Sequence, residues 1–219
     1  MTCALDGRAG GDGMNRGWHG GTEDETVMKG RTVILIALVM SATAALAGCR
    51  SGPAPRYYTL DLRPSGSARP ARCALRVDRL DAVEPLSRDG ILIQMSPTEA
   101  EYYASDRWLA PAEGLVAEKL AAEFGTAEGK PVILLAGTLR ALEQVDFPGG
   151  AEAHLKLDAA LRRPPMSRYE EPLLRKTYEA RVPAEEPRPA AVVRALSKAV
   201  EAVAAEIAAD ADRLAGAGG

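Results

Sequence analysis

Apolar and polar residues alternate without a break along "AHLKLDAALRR" in the second half of the chain. A period of two is typical of a strand with one buried face. The stretch "PVILLAGTLRALEQVDF" precedes it, and "LLRKTYEARV" follows after a polar loop. Three strands in such close succession predict an antiparallel meander, and the continuous apolar start of the first predicts a strand covered on both sides. The residues predicted to face inward are Leu155, Leu157, Ala159, Leu161, Leu174, Tyr178, Ala180 and Val182, with Lys176 departing from the pattern.

Shorter strand patterns precede this meander. "YYTLDL" (Tyr57–Leu62) predicts a first strand, and "CALRVDRL" predicts a second strand with Cys73, Leu75 and Val77 on one face. "GILIQM" and "EAEYYA" predict two further strands, joined through Ser96-Pro97-Thr98.

Two segments show helical spacing instead. In "WLAPAEGLVAEKLAAEF" the apolar residues recur at intervals of three and four, and Pro111 is tolerated only in a first turn, so this helix starts no earlier than about Trp108. A longer apolar stripe predicts a closing helix from about Pro189 to Leu214. The pattern therefore predicts an α+β fold, with a mainly antiparallel sheet that has a C-terminal meander and is covered by two principal helices. The stripe of the first helix is predicted to consist of Leu109, Ala112, Val116, Leu120 and Phe124.

Far upstream lies an apolar run of another kind. Lys29 and Arg31 precede an unbroken apolar run, Val33–Met40, which is followed by mostly small residues. This order is typical of a secretory signal. A membrane-spanning helix needs about 20 predominantly apolar residues, and a buried core helix would show a recurring polar face, so both alternatives fit the run less well.

The end of that run selects the kind of signal. "Leu46-Ala47-Gly48-Cys49" resembles a bacterial lipobox, in which cleavage leaves Cys49 as a lipidated N-terminus. The alternative is an ordinary cysteine after a non-lipoprotein signal. We predict a covalent acyl and diacylglycerol lipid on Cys49 that anchors the protein to a membrane, and no other cofactor.

The chain then divides into five parts. Residues 1–27 are expected to be a mis-called or disordered extension, with translation starting at the methionine that opens a signal peptide over 28–48. A lipidated tether follows over 49–56, since it is rich in Pro, Gly and Ser. A single α+β domain is expected over 57–214, and a disordered tail over 215–219.

Charge and chemistry narrow the function. The 27 Lys and Arg against 30 Asp and Glu give a net charge of −3 with no basic patch, which argues against nucleic acid as a partner. After cleavage only His154 remains for imidazole chemistry, and its outward position predicts a solvated surface residue. No metal site, serine elbow or phosphate loop is predicted, and "GTAEGK" lacks the required spacing. Cys73 has no cysteine partner and is expected to be a small buried residue. With so few groups suited to catalysis, the domain is expected not to be an enzyme.

The order of these pieces resembles one known family. A lipobox, "YYTL" soon after it and "DRWLAPAEGLVAEKLAAEF" in mid-chain make the sequence similar to the ABC-type transport auxiliary lipoproteins, the PqiC-like family. The resemblance implies a periplasmic accessory subunit of a lipid transport system, with an MCE-domain tunnel protein as its partner and, through it, an ABC permease and ATPase. Arg50 stands where an aspartate would retain a lipoprotein in the inner membrane, which implies the outer membrane.

Interface anchors are sought among aromatic residues, because these carry much of the energy at protein interfaces. Trp108, Tyr102 and Tyr103 are the candidates, although a tryptophan at a helix start more often seals the helix against the sheet. Three rival functions remain: an outer-membrane lipoprotein for lipopolysaccharide assembly, a lipid-anchored hydrolase, and a general structural lipoprotein of the envelope.

Overall fold

The computed structural model describes residues 54–165 and 170–217. The predicted leader 1–27, the signal 28–48, Cys49 and Arg50 lie outside the described residues. The strands are β1 (Arg56–Tyr58), β2 (Ala74–Ala82), β3 (Gly90–Ser96), β4 (Glu99–Trp108), β5 (Val132–Phe147), β6 (Gly150–Arg162) and β7 (Leu174–Pro183), the helices are α1 (Ala112–Phe124) and α2 (Pro189–Gly216), and a 3-10 turn spans Glu84–Leu86.

All seven strands form one sheet, in the order β1-β4-β3-β5-β6-β7 with β2 also paired to β5. β5 has 16 residues, and this length lets it hold two neighbours along one edge. Its first half, Val132–Leu139, pairs with β2, and its later residues Glu143–Val145 pair with β3. The predicted antiparallel meander β5–β6–β7 is confirmed and supplies the two longest ladders. The pairings β1–β4, β2–β5 and β3–β5 are parallel, so the sheet is mixed.

Both helices contribute to a single core on one face of the sheet, which confirms the α+β class. The predicted inward alternation of β6 is correct, since Leu155, Leu157 and Leu161 are buried there. The opposite face of the meander carries no helix in the described residues and is polar. The helix residues of the core include Leu115, Val116, Leu120 and Phe124 of α1, and Val192, Leu196, Val200, Val203 and Ile207 of α2.

The strand ends differ from the prediction around Trp108. β1 covers only three residues, because after Tyr58 the chain turns inward and buries Leu60 in the core. β4 continues to Trp108, well past the predicted end, because its last residues gain β1 as a second neighbour. Trp108 therefore ends a strand and does not start a helix. Leu109, predicted to lie on the helix stripe, is exposed and precedes α1.

Two predicted boundaries shift as well. Arg56, assigned to the tether, belongs to β1. α2 extends to Gly216, two residues into the segment predicted to be a disordered tail.

Candidate functional site: the anchored edge and the open face of the sheet

The domain is entered through β1, at the edge of the sheet. Arg56 is the register partner of Asp106 on β4, and their side chains also pair, with 2.8 Å between Nε and Oδ1. Asp106 is only 5% exposed, and its carboxylate raises the pKa of Arg56 by accepting a hydrogen bond from the guanidinium and through its negative charge. The strand that follows the tether is thus fixed to the sheet by backbone pairing and by an ion pair.

The strand directions show from which side the chain arrives. β1 is parallel to β4, β4 is antiparallel to β3, and β3 is parallel to β5. β1 therefore runs opposite to β5, and the residues just before it come from the side of the β5–β6 turn.

The three aromatic candidates do not form one patch. Trp108 is 3% exposed, so its indole packs in the core, which is the role that the sequence favoured over an interface anchor. The Tyr102 hydroxyl donates to the Pro85 carbonyl oxygen at 2.7 Å, and the Tyr103 hydroxyl donates to Gln144 Oε1 at 2.6 Å. Both tyrosines are partly buried against the core. Arg88 lies over the Tyr102 ring, 5.5 Å from its centroid.

A buried ion-pair network fixes the loop between β1 and β2. Lys119 Nζ donates to Glu123 Oε1 and Glu201 Oε1, both at 2.8 Å, and to the Arg63 carbonyl oxygen at 2.9 Å. Glu123 accepts from the backbone N–H and the hydroxyl of Ser65. Burial would lower the pKa of Lys119, but its hydrogen bonds to Glu123 and Glu201 outweigh this and keep that pKa raised. The network ties α1, α2 and the loop together.

The sequence offered only a weak signal for this network. Lys119 and Glu123 have the i,i+4 spacing that usually marks a solvated pair on a helix surface. In the structure, the loop between β1 and β2 and helix α2 cover this pair, so both side chains are buried.

Charged side chains cover the open face of the meander in short chains of contacts. Arg140 donates to Asp158 at 2.7 Å, and Thr177 donates to the other Asp158 oxygen at 2.6 Å, so the pKa of Asp158 is lowered. Arg181 pairs with Glu152 and with Glu179. These charged side chains are paired with one another, and no helix of the described residues covers this face.

The prediction for His154 was wrong in one respect. Its side chain does lie on the open face, but it is 7% exposed and not solvated. Nδ1 lies 3.0 Å from Glu143 Oε1, and Nε2 lies 3.0 Å from Glu179 Oε1. The two carboxylates flank the ring on neighbouring strands and shield it. The imidazole thus serves as a link between β5, β6 and β7.

An open groove of about 580 Å³ lies on this face, towards the start of β5. Its floor includes Ala136, Thr138 and Ala160, and arginines line its sides. A smaller groove of about 410 Å³ lies between the chain after β1 and the first turns of α2.

No set of three His, Cys, Asp or Glu side chains within 54–165 and 170–217 is arranged to hold a metal ion. Cys73 is buried, and burial raises the pKa of its thiol to about 11, so it is not a ready nucleophile.

Comparison with known proteins shows the family of this chain. A model of the ABC-type transport auxiliary lipoprotein component matches residues 58–208, which is most of the domain. The chain belongs to this family. Its members are auxiliary lipoproteins of ABC-type transport, so the protein is a membrane-anchored envelope component associated with an ABC transporter. No curated protein matches the chain.

Solved structures agree on the fold of this auxiliary lipoprotein. A crystal structure of a DUF330 protein from Xanthomonas campestris is 18% identical, covers 74% of this chain and 96% of its own, and superposes with a TM-score of 0.59. A second crystal structure, of an uncharacterised protein, is 14% identical, covers 72% of this chain and 99% of its own, and gives a TM-score of 0.55. Within the described part of the chain, no helix has the length and apolarity needed to cross a bilayer.

Proposed function

We propose that this auxiliary lipoprotein is anchored to the outer membrane, faces the periplasm, and docks or stabilises the MCE-domain tunnel protein of an ABC-type lipid transport system. The family match over residues 58–208 is the observation that carries the proposal. The ABC permease and ATPase are its partners through the tunnel protein, and the lipid on Cys49 is its membrane contact.

The geometry supports a docking role for the domain. The short stretch from Cys49 to Arg56 reaches at most about 25 Å, so a lipidated Cys49 holds the domain close to its membrane. Confinement in so thin a layer raises the effective concentration of the domain near a membrane-bound partner. The ion pair between Arg56 and Asp106 then fixes the first strand to the sheet, so the anchor limits the position of the whole sheet. The open face of the meander leaves a broad polar surface for contact.

We further propose that the protein is not an enzyme. Among the described residues the hydrogen-bond partners of His154 are the carboxylates of Glu143 and Glu179, with no serine or cysteine among them. Activation of a nucleophile needs a base within hydrogen-bond reach. The role left to the domain is binding.

The choice of membrane rests on Arg50, which follows Cys49. An inner-membrane retention signal would place an aspartate there. Replacing Arg50 with Asp should move the protein from the outer-membrane to the inner-membrane fraction on a sucrose gradient. A wild-type protein found in the inner-membrane fraction contradicts this part of the proposal.

The partner is tested by photo-crosslinking in the native bacterium. A benzoylphenylalanine probe is placed in the full-length protein at Thr98 in the β3–β4 turn, at Thr177 on the open face, or at Glu118 on the exposed face of α1. A crosslink to an MCE-domain protein from at least one position supports the proposal. A crosslink to an outer-membrane barrel protein of lipopolysaccharide assembly favours that rival, and the absence of any MCE adduct overturns the proposal.

Lipidation has its own test. The protein should incorporate radiolabelled palmitate, and globomycin should leave a larger precursor. Cys49→Ser should abolish the label. Incorporation that survives this substitution contradicts Cys49 as the lipidated residue.

A further inference from the structure

We propose that the groove on the open face binds an acidic segment of a partner protein and that Arg175 is its principal contact residue. This inference deepens the proposed function, on which it rests for the existence of a protein partner. It assigns to that partner a chemistry and a place on this domain.

The strand register shows how the groove is built. Ala136 on β5, Ala160 on β6 and Arg175 on β7 line the groove and are successive register partners. Arg79 on β2, the register partner of Ala136, lies beside the groove and is paired with Asp81, which does line it. At a strand spacing of about 4.8 Å, the α-carbons of the two arginines are about 14 Å apart. Between them the floor consists of two alanines. A helix is about 10 Å across with its side chains, so this width admits one helix or one extended segment.

The next residues along the strands continue the same floor. Thr138 is the register partner of Asp158, and Asp158 is the register partner of Thr177, two residues further along β5 than Ala136. These side chains are short, and the Asp158 carboxylate is already occupied by Arg140 and Thr177. The groove therefore continues for at least two rungs without a bulky obstruction.

Its charge is opposite to that of the whole chain. Three cationic side chains line the groove, Arg140, Arg162 and Arg175, against the two carboxylates of Asp81 and Asp158. Lys176 also borders the groove, but its side chain lies on the helix side of the sheet, bonded to Asp210. The chain as a whole carries a net charge of −3. A cationic groove on an anionic protein attracts an anionic partner and orients it.

The cations differ in how far they are already engaged. Arg140 is paired with Asp158, with 2.7 Å between Nε and Oδ2. Arg162 donates to the Glu170 carbonyl oxygen. Arg175 is exposed, and within residues 54–165 and 170–217 it has no hydrogen-bond or ion-pair partner. Its guanidinium is thus available to take a carboxylate in a bidentate pair.

The position of the groove favours a protein over a membrane. The chain enters β1 from the side of the β5–β6 turn, whereas the groove lies towards the start of β5. The groove accordingly lies at the other end of the strands from the point at which the described chain enters β1. A buried acyl chain would need an apolar pocket, and the side chains here are small or charged. A carboxylate-bearing segment fits both observations.

The test uses fluorescein-labelled hexaglutamate and hexaglutamine with the full-length lipoprotein in a neutral detergent at low salt. Fluorescence anisotropy should show binding of hexaglutamate at least about tenfold tighter than that of hexaglutamine. Arg175→Glu should weaken hexaglutamate binding by about tenfold or more. The matched control is Arg194→Glu, an exposed charge reversal on α2, which should change the affinity by less than about twofold.

Five results would overturn the proposal. One is displacement of the peptide by phosphate, and the others are no preference for hexaglutamate, an unchanged affinity for Arg175→Glu, an equal loss for Arg194→Glu, or a preference for a lipid surface. The last is measured with phosphatidylglycerol vesicles, and their Arg175-dependent binding in place of the peptide would assign the groove to a membrane. Inorganic phosphate is added as a competitor, and displacement of the peptide by phosphate at equal charge concentration would indicate a phosphate site instead. Circular dichroism checks that each variant is folded.

The two proposals fail separately. MCE crosslinks from Thr98 or Glu118, together with an unchanged affinity of Arg175→Glu, leave the proposed function intact and remove the groove. Arg175-dependent peptide binding without any MCE crosslink leaves the acidic-segment site intact and removes the proposed partner.

Discussion

Lys119 and Glu123 lie one turn apart on α1, with 2.8 Å between Nζ and Oε1, and both side chains are completely shielded from solvent. Two buried charges are tolerated here because each has further partners, the Arg63 carbonyl oxygen and Glu201 for the ammonium and Ser65 for the carboxylate. The pair thereby makes the loop between β1 and β2 part of the core.

Removing one partner of this pair should be costly. Lys119→Met leaves the Glu123 carboxylate buried without its cation, and we expect a loss of roughly 3–5 kcal/mol in the free energy of unfolding. Lys119→Met combined with Glu123→Gln should lose at least about 1 kcal/mol less, because position 123 then carries no buried charge that lacks its cation. Urea denaturation measures both. Lys156→Met on the open face is the control, with an expected change under about 0.5 kcal/mol, and a similar loss in control and single variant would contradict the argument.

Glu123 should also contribute to acid sensitivity. Burial favours a higher pKa, but the hydrogen bonds from Lys119 and Ser65 outweigh it and hold the pKa of Glu123 below its ordinary value of 4.5. A lowered folded-state pKa gives stability that is present above 4.5 and is lost as the pH falls through the folded-state value. Urea midpoints should therefore drop as the pH decreases below about 4.5. Glu123→Gln should show a shallower drop, and an equal or steeper one would exclude Glu123 as a contributor.

Gly137 and Gly114 should respond to replacement by alanine in opposite ways, because only Gly137 lies close to another strand. A β-carbon added at Gly137 would lie 2.5 Å from the Asp158 carbonyl oxygen, so β5 and β6 would have to separate. We expect Gly137→Ala to destabilise the domain by about 1–3 kcal/mol. Gly114 on α1 has open space around its α-carbon, and Gly114→Ala should stabilise the domain by about 0.5 kcal/mol. Thermal denaturation of the two variants should shift the melting temperature in opposite directions, and two shifts of the same sign would contradict this reading.

The attachment of β1 is testable by hydrogen exchange. Asp106→Asn removes the charge that holds Arg56, so β1 should open more often. The amide of Leu109, which donates to the Tyr58 carbonyl oxygen, should then exchange faster, as measured by NMR. The control is Arg107→Ala, on the same strand as Asp106, which breaks an exposed ion pair with Asp89. It should leave the exchange rate of the Leu109 amide unchanged. Equal acceleration in both variants would show that the charge of Asp106 does not hold β1.

The meander could be predicted because its signal is local. Leu155, Leu157 and Leu161 alternate with polar residues within one segment, and the three strands follow one another directly along the chain. The parallel pairings of β5 could not be predicted in this way. They join segments separated by many residues, and periodicity identifies a buried strand without naming its neighbour.

The surface assignments show the same limit. His154 was placed on the correct face, but its burial depends on Glu143 and Glu179 of two other strands. The sequence places Trp108 at a helix start, because Pro111 and an apolar stripe follow it. In the structure, pairing with β1 holds Trp108 in β4. The groove likewise depends on register, because only pairing brings Arg175 onto the same rung as Ala160 and Ala136.

The direction of β1 has a mechanical consequence. A pull on the preceding chain acts along the axis of the strand, while its backbone hydrogen bonds to β4 lie across that axis. Tension from the envelope would therefore load these bonds together, in shear, and would not peel them apart one at a time. Such an attachment suits the domain of a membrane-anchored lipoprotein, which must stay folded under tension.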